Sequence, residues 1–283
     1  MELPDREVER IARQAVQEDM PWGDVTTDAL VPADLPGKAR IVAKARGVLA
    51  GVAVAERVFR TIDPSIAFRA IKQDGERLGP GDCIATVSGF TAGLLKAERV
   101  ALNFLQRMSG VATLTAQYVD AVRGTRARIV DTRKTTPGLR LLEKYAVRAG
   151  GGHNHRYCLS DGVLVKDNHL VALKRRGASL KEALEQVRKA VPHTIRIEVE
   201  AESLVQVQEA LDAGVDIVLL DNMPVEQMAQ AVRMARGRAL TEASGGVTLK
   251  TVRAVAESGV DLISVGALTH SAPALDISMD LEA

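Results

Sequence analysis

The sequence predicts an α/β protein of two domains, in which a parallel α/β barrel follows a strand-rich N-terminal region. Short β-branched runs alternate with helical stretches after residue 125, and six such units suit a closed or nearly closed parallel sheet. The runs are apolar enough to be buried on both faces, as strands of parallel sheets are. No GxGxxG follows the first run, which argues against an open dinucleotide-binding sheet.

The N-terminal region begins with an amphipathic helix over residues 5–17, where Val8, Ile11 and Ala12 share one side. Glycine and proline then punctuate a series of short strands, as tight turns require. We expect strands at 37–46, 47–52, 65–71 and within 75–89. The pattern becomes helical from 93 to 122, long enough for two helices separated near Ser109 and Gly110. The chain therefore changes character near residue 110.

The barrel region supplies six strand candidates and the helices between them. The strands are predicted within 127–131, 162–166, 195–200, 216–221, 238–243 and 262–266. Helices are expected from about Leu139, at Ser179, at Ser203, near Pro224 and near Thr248. Ser179 with Glu182, and Ser203 with Gln206, have the spacing of a capping box. The tail, residues 275–283, alternates apolar and polar residues up to Glu282 and fits a strand that returns to the N-terminal domain.

Composition excludes several classes of function. The 283 residues carry a net charge of +1, with 46% hydrophobic and 26% charged residues, a profile typical of a globular protein. Aromatic residues make up 3%, too few for stacking single-stranded nucleic acid. Cys83 and Cys158 fit no zinc or CxxC spacing, and neither a signal peptide nor a membrane-spanning run is evident. We expect a cytoplasmic protein with reduced thiols and no nucleic-acid or membrane partner.

A cationic window between Asp131 and His169 is the main functional signal. It holds seven Lys or Arg, three of the five histidines and four acids, with three consecutive glycines in the middle. Cations beside glycines and short polar residues are what a multiply charged small anion requires. The seven cations are Arg133, Lys134, Arg140, Lys144, Arg148, Arg156 and Lys166.

Polar residues also close the later strands, where the chemistry of such barrels collects. Glu200 and Asp221 end adjacent strands and suit a hard divalent cation, held directly or through water. Ser244 and Gly245, followed by a further glycine, offer backbone amides for a phosphate, and Gly266 ends the next strand. This combination favours transfer chemistry on a magnesium-bound, phosphorylated substrate.

These motifs resemble the quinolinate phosphoribosyltransferases, also called carboxylating nicotinate-nucleotide pyrophosphorylases, from end to end. The resemblance is carried by the segments EDMPWGDVTTDAL, ERVALNFLQRMSGVAT, DTRKTTPGLRLLEKYAV, GGGHNHR, LVKDNHL, IEVEAESL, LLDNM, EASGGVTL and ISVGALTHSAPALDISMD. It implies an N-terminal α/β sandwich over residues 1–110, to which the tail returns, and an open TIM-like barrel over 111–274. It also implies a dimer that converts quinolinate and phosphoribosyl pyrophosphate (PRPP), with Mg2+, into nicotinate mononucleotide, pyrophosphate and CO2.

The resemblance assigns roles to individual residues. Quinolinate would be bound by Arg133, His155 and Arg156, with Thr132 and Lys166 nearby and Arg99 contributed by the partner subunit. Lys134 would face PRPP, and Ser244, Gly245 and Gly266 would hold a phosphate while His270 lines the site. Glu200 and Asp221 would bind Mg2+ and the ribose hydroxyls. The residues expected to take part in catalysis are Lys134, Lys166, Glu200 and Asp221.

Several alternatives remain open from the residues themselves. Glu198 and Glu200 share one side of a strand by period two, so either fits the functional acid. The spacing His153-x-His155 is also found in metal hydrolases. Lys144 and Arg148, four apart on a helix, fit a solvated face equally well. A related transferase, acting on another pyridine or associated with molybdenum transport, would use the same framework, and so would a non-catalytic metabolite-binding protein.

Overall fold

The structure, a computed structural model, describes residues 3–282; residues 1, 2 and 283, at the outer ends of the predicted domains, lie outside it. The helices are α1 Asp5–Asp19, α2 Val25–Leu30, α3 Val52–Ile62, α4 Thr91–Ala121, α5 Arg140–Ala149, α6 Asp167–Arg175, α7 Leu180–Ala190, α8 Leu204–Asp212, α9 Val225–Ala235, α10 Val252–Glu257 and α11 Ala267–His270. The strands are β1 Pro36–Ala43, β2 Gly47–Val48, β3 Ala67–Ala70, β4 Arg77–Leu78, β5 Cys83–Phe90, β6 Arg128–Val130, β7 Val163–Val165, β8 Ile197–Ala201, β9 Ile217–Asp221, β10 Leu240–Ser244, β11 Leu262–Ser264 and β12 Ile277–Leu281. None of the helices within 3–282 is long and apolar enough to cross a membrane.

The chain forms two compact units. Within the described residues, the first comprises 3–116, 135–151 and 267–282, and the second comprises 117–134 and 152–266. A four-stranded antiparallel sheet, in the order β12-β1-β5-β3, forms the first unit together with helices such as α1 and α3, which pack on one another. The strand predicted in the tail is β12, which pairs with β1 so that Met279 lies opposite Ile41.

Helix α3 was not predicted, because its segment reads as part of the strand-rich region. The predicted strand over 47–52 is reduced to the two residues of β2, and the chain turns into α3 at Gly51, whose φ is +106°. The β-branched residues Val52, Val54 and Val58 favour strands locally. They are nevertheless buried on α3 together with Phe59. Tertiary burial overrides the local preference here.

Helix α4 corrects a second prediction, since it runs without a break through Ser109 and Gly110. Ser109 does not cap a new helix; its hydroxyl accepts from the Ala50 backbone N–H at 3.0 Å and donates to the Ala50 carbonyl oxygen at 3.2 Å. Gly110 is packed against the Pro273 backbone, where a Cβ would overlap the carbonyl oxygen. These small residues permit close approach of two backbones and do not mark the end of a helix.

Helix α5 in the first unit carries buried charge that the sequence pattern did not reveal. Lys144 is 1% exposed, whereas Arg148 is exposed, so the pair does not form a solvated face. Glu143 is also buried and pairs with Arg107 at 2.6 Å. Its carboxylate accepts from the Thr136 N–H at 3.0 Å and from the Thr136 hydroxyl at 2.8 Å. Glu143 thereby fixes the TTPG segment that follows Lys134.

The second unit is the predicted parallel α/β barrel. Its sheet has six strands in the order β6-β11-β10-β9-β8-β7, and every pairing is parallel. Strands β6 and β7 are the edges of this order, so the barrel is open. The fold class expected from the resemblance, an N-terminal sheet domain with an open α/β barrel, is confirmed.

Of the two capping boxes predicted in this unit, one forms completely and one forms in part. Ser179 and Glu182 form both bonds of a capping box at α7. Ser203 accepts from the Gln206 N–H at α8, but the Gln206 side chain accepts from the Glu202 N–H instead, so this box is half formed. Helix α6 was not predicted. It begins directly after Lys166 and includes the DNH part of the LVKDNHL motif.

Replacing Gly110 with alanine tests the close approach inside the first unit. Alanine is the better helix former, so on propensity alone Gly110→Ala would stabilise α4 by about 1 kcal/mol. Overlap with the Pro273 backbone should instead lower the free energy of unfolding by about 1–3 kcal/mol, as measured by urea denaturation. Gly93→Ala is the matched control in the same helix, because its Cβ would meet side-chain atoms no closer than 3.3 Å. Equal or greater stability of Gly110→Ala would contradict the packing described.

Candidate functional site

A cavity of about 570 Å3 lies in the second unit at the carboxyl ends of the parallel strands. All six strands contribute to its wall. The contributions, in chain order, are Thr132, Arg133 and Lys134 after β6, Lys166 after β7, Glu200 of β8, Asp221 and Asn222 at the end of β9, Ser244, Gly245 and Gly246 at the end of β10, and Ser264 of β11. His155, Arg156 and Glu242 complete the polar lining. The structure thus brings together most of the residues predicted from the strand ends.

Arg133 and Arg156 both line the cavity. Arg133 Nε is buried and has no hydrogen-bond partner among residues 3–282. Arg156 donates from Nη1 to the Gly162 carbonyl oxygen at 2.7 Å. Burial, followed by the positive charge of Arg133, lowers the pKa of Arg156. Two neighbouring guanidiniums, one of them with an unpaired donor, form a site for an anion.

The GGGHNHR segment is held in place by Asp131 at the end of β6. Asp131 accepts from the His155 backbone N–H at 2.9 Å and from Asn154 Nδ2 at 2.6 Å. His153 continues the sheet by bridging to Val130. Asp131 is completely buried, so its charge serves this loop and does not face solvent. The predicted position of His155 and Arg156 in the site therefore depends on a carboxylate that the sequence analysis left without a role.

Below the cavity, His155, Glu198 and Glu242 form a buried group that we call the floor cluster. His155 Nε2 lies 3.0 Å from Glu198 Oε2 and 3.6 Å from Glu242 Oε1. Glu198 is 4% exposed and Glu242 is 1% exposed. Within the described chain, the group of potential metal-binding side chains consists of His155, Glu198 and Glu242. His153 is not a member of it, so the alternative in which His153 and His155 bind one metal ion gains no support. Both ring nitrogens of His155 are engaged by the protein, since Nδ1 accepts from the Arg156 N–H at 2.8 Å.

The structure separates the two acids that the sequence left as alternatives. Glu200 lines the cavity and pairs with Lys166 Nζ at 2.9 Å, whereas Glu198 points to His155 below it. Both side chains lie on the same side of β8, as the period of two requires. Only Glu200 is placed to meet a ligand in the cavity.

The loop after β10 is shaped by glycines at the cavity wall. Gly245 has φ of +89°, and a Cβ there would overlap the side chain of Asn222. Gly246 has φ of +60° with open space around it. Asn222 itself adopts φ of +53°, and its N–H donates to the Ser244 carbonyl oxygen at 3.0 Å. The backbone of Ser244, Gly245 and Gly246 lines the cavity, and the two glycines have no side chain to block a ligand, as a phosphate site requires.

The remaining predicted site residues lie elsewhere. Arg99 is in α4 and His270 is in α11, both in the first unit, and their predicted roles stay predictions. Gly266 follows Ser264 by two residues and ends the second unit. Arg140, left unassigned, donates from Nε to the Thr135 hydroxyl at 3.0 Å.

Several lining residues were missed by the sequence analysis. Those not assigned a role are Leu164, Leu219, Asn222, Glu242 and Ser264. The period of two along a strand identifies most of them, because Leu164, Leu219 and Glu242 each precede an assigned residue by two positions. Glu242 is the one whose chemistry matters most, since burial and the adjacent Glu198 charge raise its pKa to about 8.

Comparison with known proteins agrees with this geometry. The N-terminal domain of quinolinate phosphoribosyl transferase matches residues 24–109, and the C-terminal domain of the same family matches 111–280. The nicotinate-nucleotide pyrophosphorylase [carboxylating] of Mycobacterium leprae is 47% identical over 277 residues, covering 95% of each chain. A probable enzyme of the same name from Bacillus subtilis is 44% identical and covers 93% of this chain and 90% of its own.

A solved structure extends the agreement to three dimensions. The crystal structure of NadC from Streptococcus pyogenes superposes with a TM-score of 0.94 at 43% identity, covering 100% of this chain and 99% of that one. Both domain matches together span nearly the whole sequence, and the site lies in the barrel that the C-terminal match covers. The chain therefore belongs to the quinolinate phosphoribosyl transferase family.

Proposed function

We propose that the chain transfers the phosphoribosyl group of PRPP to quinolinate with loss of CO2, giving nicotinate mononucleotide and pyrophosphate for de novo NAD biosynthesis. The observation that carries this proposal is the pair Arg133 and Arg156 in the lining of one cavity, where Arg133 Nε is buried without a hydrogen-bond partner among residues 3–282. Relatives named for this reaction cover almost the entire chain.

Quinolinate fits the cationic side of the cavity. Its two adjacent carboxylates form a planar dianion, and a guanidinium binds a carboxylate through two parallel hydrogen bonds. Arg133 and Arg156 supply such forks, with Thr132 and Lys166 beside them. His155 supports this surface from below, because its ring nitrogens are used by Arg156 and Glu198.

PRPP fits the opposite wall. The backbone of Ser244, Gly245 and Gly246 suits a phosphate, with Gly266 on the next loop, and Lys134 suits the pyrophosphate. Glu200 and Asp221 are hydrogen-bond acceptors for the ribose hydroxyls. The two substrates then meet between the cationic wall and the glycine loop.

Glu200 and Asp221 also fit Mg2+. They lie on one face of neighbouring strands, since Glu200 is opposite Leu219 in the register and Asp221 follows Leu219 by two residues. Carboxylate oxygens are the ligands that this ion prefers. Mg2+, when bound, supplies positive charge against the pyrophosphate as it leaves.

The reaction then needs no side-chain nucleophile. The pyridine nitrogen attacks ribose C1, and the C1–O bond breaks with its electron pair leaving on pyrophosphate. Glu200 and Asp221 stabilise the positive charge that develops on the sugar, and Lys134 stabilises the departing group. The C2–carboxylate bond then breaks as CO2 leaves, and its electron pair stays on C2, where the positive charge of the adjacent pyridinium nitrogen stabilises it. C2 then takes up a proton in place of the carboxylate. Lys166 and the arginines hold the ring in place throughout.

We infer that the protein works as a dimer in the cytoplasm, with Arg99 of one subunit reaching the quinolinate site of the other. Both cysteines, Cys83 and Cys158, are free thiols, which suits a reducing compartment.

A mass balance tests the reaction directly. Purified protein with PRPP and Mg2+ should form nicotinate mononucleotide and CO2 in equal amounts from quinolinate and no product from nicotinate. Arg133→Ala and Arg156→Ala should each reduce kcat/KM for quinolinate by about 100-fold or more, because each removes charged hydrogen bonds of about 1.5–3 kcal/mol. Arg233→Ala, an exposed arginine of α9, is the matched control and should keep nearly full activity. Product from nicotinate without CO2 would assign the chain to a neighbouring transferase.

The Mg2+ assignment is tested by neutralising one carboxylate. Asp221→Asn keeps the shape of the side chain but removes its charge, so the Mg2+ concentration for half-maximal activity should rise by roughly tenfold or more. The exposed Asp212 provides the control Asp212→Asn, for which we expect the Mg2+ dependence of the wild type. An unchanged Mg2+ requirement in Asp221→Asn would remove this residue from the metal site.

The role of Arg99 is tested with mixed dimers. An Arg99→Ala subunit and an Arg133→Ala subunit, carrying different tags and purified together, form a dimer in which one site has both arginines intact if Arg99 acts across the interface. Such heterodimers should recover about half of wild-type activity, although each variant alone is inactive. Activity near zero in the mixed dimer would mean that Arg99 serves its own subunit, and full activity of Arg99→Ala alone would mean that Arg99 serves no quinolinate site.

A further inference from the structure

The floor cluster separates two cavities inside the second unit. A second cavity, of about 500 Å3, reaches the starts of the strands, where Arg128, Ile217 and Leu262 line it. Glu242 lines this cavity as well as the catalytic one. The buried acid is therefore a thin partition between the catalytic face of the barrel and its opposite mouth.

The carboxyl oxygens of this partition lack donors. Both oxygens of Glu242 and Oε1 of Glu198 are buried without a hydrogen-bond partner among residues 3–282. His155 Nε2 is 3.6 Å from Glu242 Oε1, which is longer than a hydrogen bond. The Ser264 hydroxyl donates to the Ala243 carbonyl oxygen at 3.3 Å, and its interaction with Glu242 lowers the pKa of that acid by less than burial raises it. Ionisation of Glu242 in this position would be unfavourable, because the carboxylate would lose its hydration without gaining strong hydrogen bonds in return.

The hydrogen bonds of His155 decide its protonation. A backbone N–H only donates, so Nδ1 accepts from Arg156 and carries no proton. The proton of the neutral ring then lies on Nε2 and is donated to Glu198 at 3.0 Å. The hydrogen bonds of the ring therefore favour a neutral His155. Positive charge on His155 would lower the pKa of Glu242, but by less than burial and the charge of Glu198 raise it. A metal ion at Nε2 would require the proton on Nδ1, where the Arg156 N–H is donated.

The other charges around Glu242 do not balance it. Glu198, on neighbouring strand β8, is an acid in the same cluster, and Asp131 at the end of β6 is a third acid, held by the His155 and Asn154 donors. Arg156 is repelled by Arg133 and attracted to Glu198 and Asp161. Ionisation of Glu242 would therefore place a further negative charge beneath a dianion pocket.

We propose that Glu242 is a positioning residue that acts as a protonated carboxylic acid, keeping the floor of the pocket neutral so that a dicarboxylate substrate binds, and that loss of its proton weakens this binding. Burial and the charge of Glu198 agree with the geometry, since they raise the pKa of Glu242 to about 8. The part that concerns the dicarboxylate rests on the function proposed above. A bound dianion should raise the pKa of Glu242 further, so that binding takes up protons at slightly alkaline pH.

The first measurement contains no substrate. In the unfolded chain Glu242 ionises near its ordinary pKa of 4.5, whereas in the folded protein it keeps its proton up to about 8. The unfolded state binds fewer protons within this window, so its contribution makes the folded protein less stable as pH rises from 4.5 to 8 and then levels off. Urea unfolding of Glu242→Gln, whose amide resembles the neutral acid, should lack this one-proton slope.

Two further variants support the same measurement. Glu226→Gln, an exposed acid of α9, is the matched control and should keep the wild-type slope. Glu198→Gln removes the adjacent negative charge, so the levelling-off should move to lower pH. A wild-type slope in Glu242→Gln would overturn the proposal. So would a stoichiometric metal ion in the purified protein that is lost on Glu242→Gln substitution.

The second measurement is quinolinate binding by calorimetry in buffers of different ionisation enthalpy. Wild-type protein should take up protons on binding near pH 8. If the bound dianion raises the pKa of Glu242 by one unit, the affinity should fall roughly fivefold between pH 7 and 9 and approach a tenfold loss at higher pH. Glu242→Gln should bind without this proton uptake, and a loss of fold alone would not produce that pattern. Equal proton uptake by both proteins would overturn the proposal. Absence of any quinolinate binding would overturn the proposed function instead, while the unfolding measurement still decides the protonation of Glu242.

Discussion

The parallel direction of six hydrogen-bonded strands is the constraint from which the site follows. Because the strands run the same way, residues that end each strand meet at one edge of the sheet although they are far apart in sequence. Arg133, Lys166, Glu200, Asp221 and Ser244 owe their proximity to this register. The loops that join the strands need only fix the final few residues, as Asp131 does for the segment containing His155.

Positive and negative side chains of the barrel lie at different depths. Arg133, Arg156 and Lys166 line the catalytic cavity, and Arg133 Nε has no hydrogen-bond partner among residues 3–282. The acids of the floor cluster are buried beneath the cavity. Glu200 illustrates this difference, because it is two residues from Glu198 on the same side of β8 yet pairs with a lysine at the cavity wall. An anion entering from the catalytic face meets cations first. The interior acids influence it only through their protonation.

The fold was predictable where local pattern and tertiary context agree. The six predicted barrel strands are short apolar runs, which is typical of strands buried on both faces of a parallel sheet. All six strands form as expected. Helix α3 escaped prediction because its valines favour strands, and the break expected in α4 arose from small residues that serve packing. In both cases the deciding contact is distant in sequence.

The site was predictable in a similar way. Residues at strand ends could be read from the sequence, since polar groups after apolar runs are unusual. The floor cluster could not, because Glu242 and Glu198 become important only when His155 is folded between neighbouring strands. The burial of Lys144 and Glu143 was unpredictable for the same reason. Charged residues on a helix are expected to face solvent unless the elements packed against that helix are known.

The pairing of β12 with β1 has a consequence for how the protein is made. Strand β1 is flanked by β5 on one side and by β12 on the other, and β12 ends at Leu281. During synthesis the first sheet thus lacks one strand until β12 has been made, and β1 offers an unpaired edge throughout that time. The barrel strands, all complete by Ser264, are finished earlier. The N-terminal unit is therefore the last to close, although most of its residues are the first to be made.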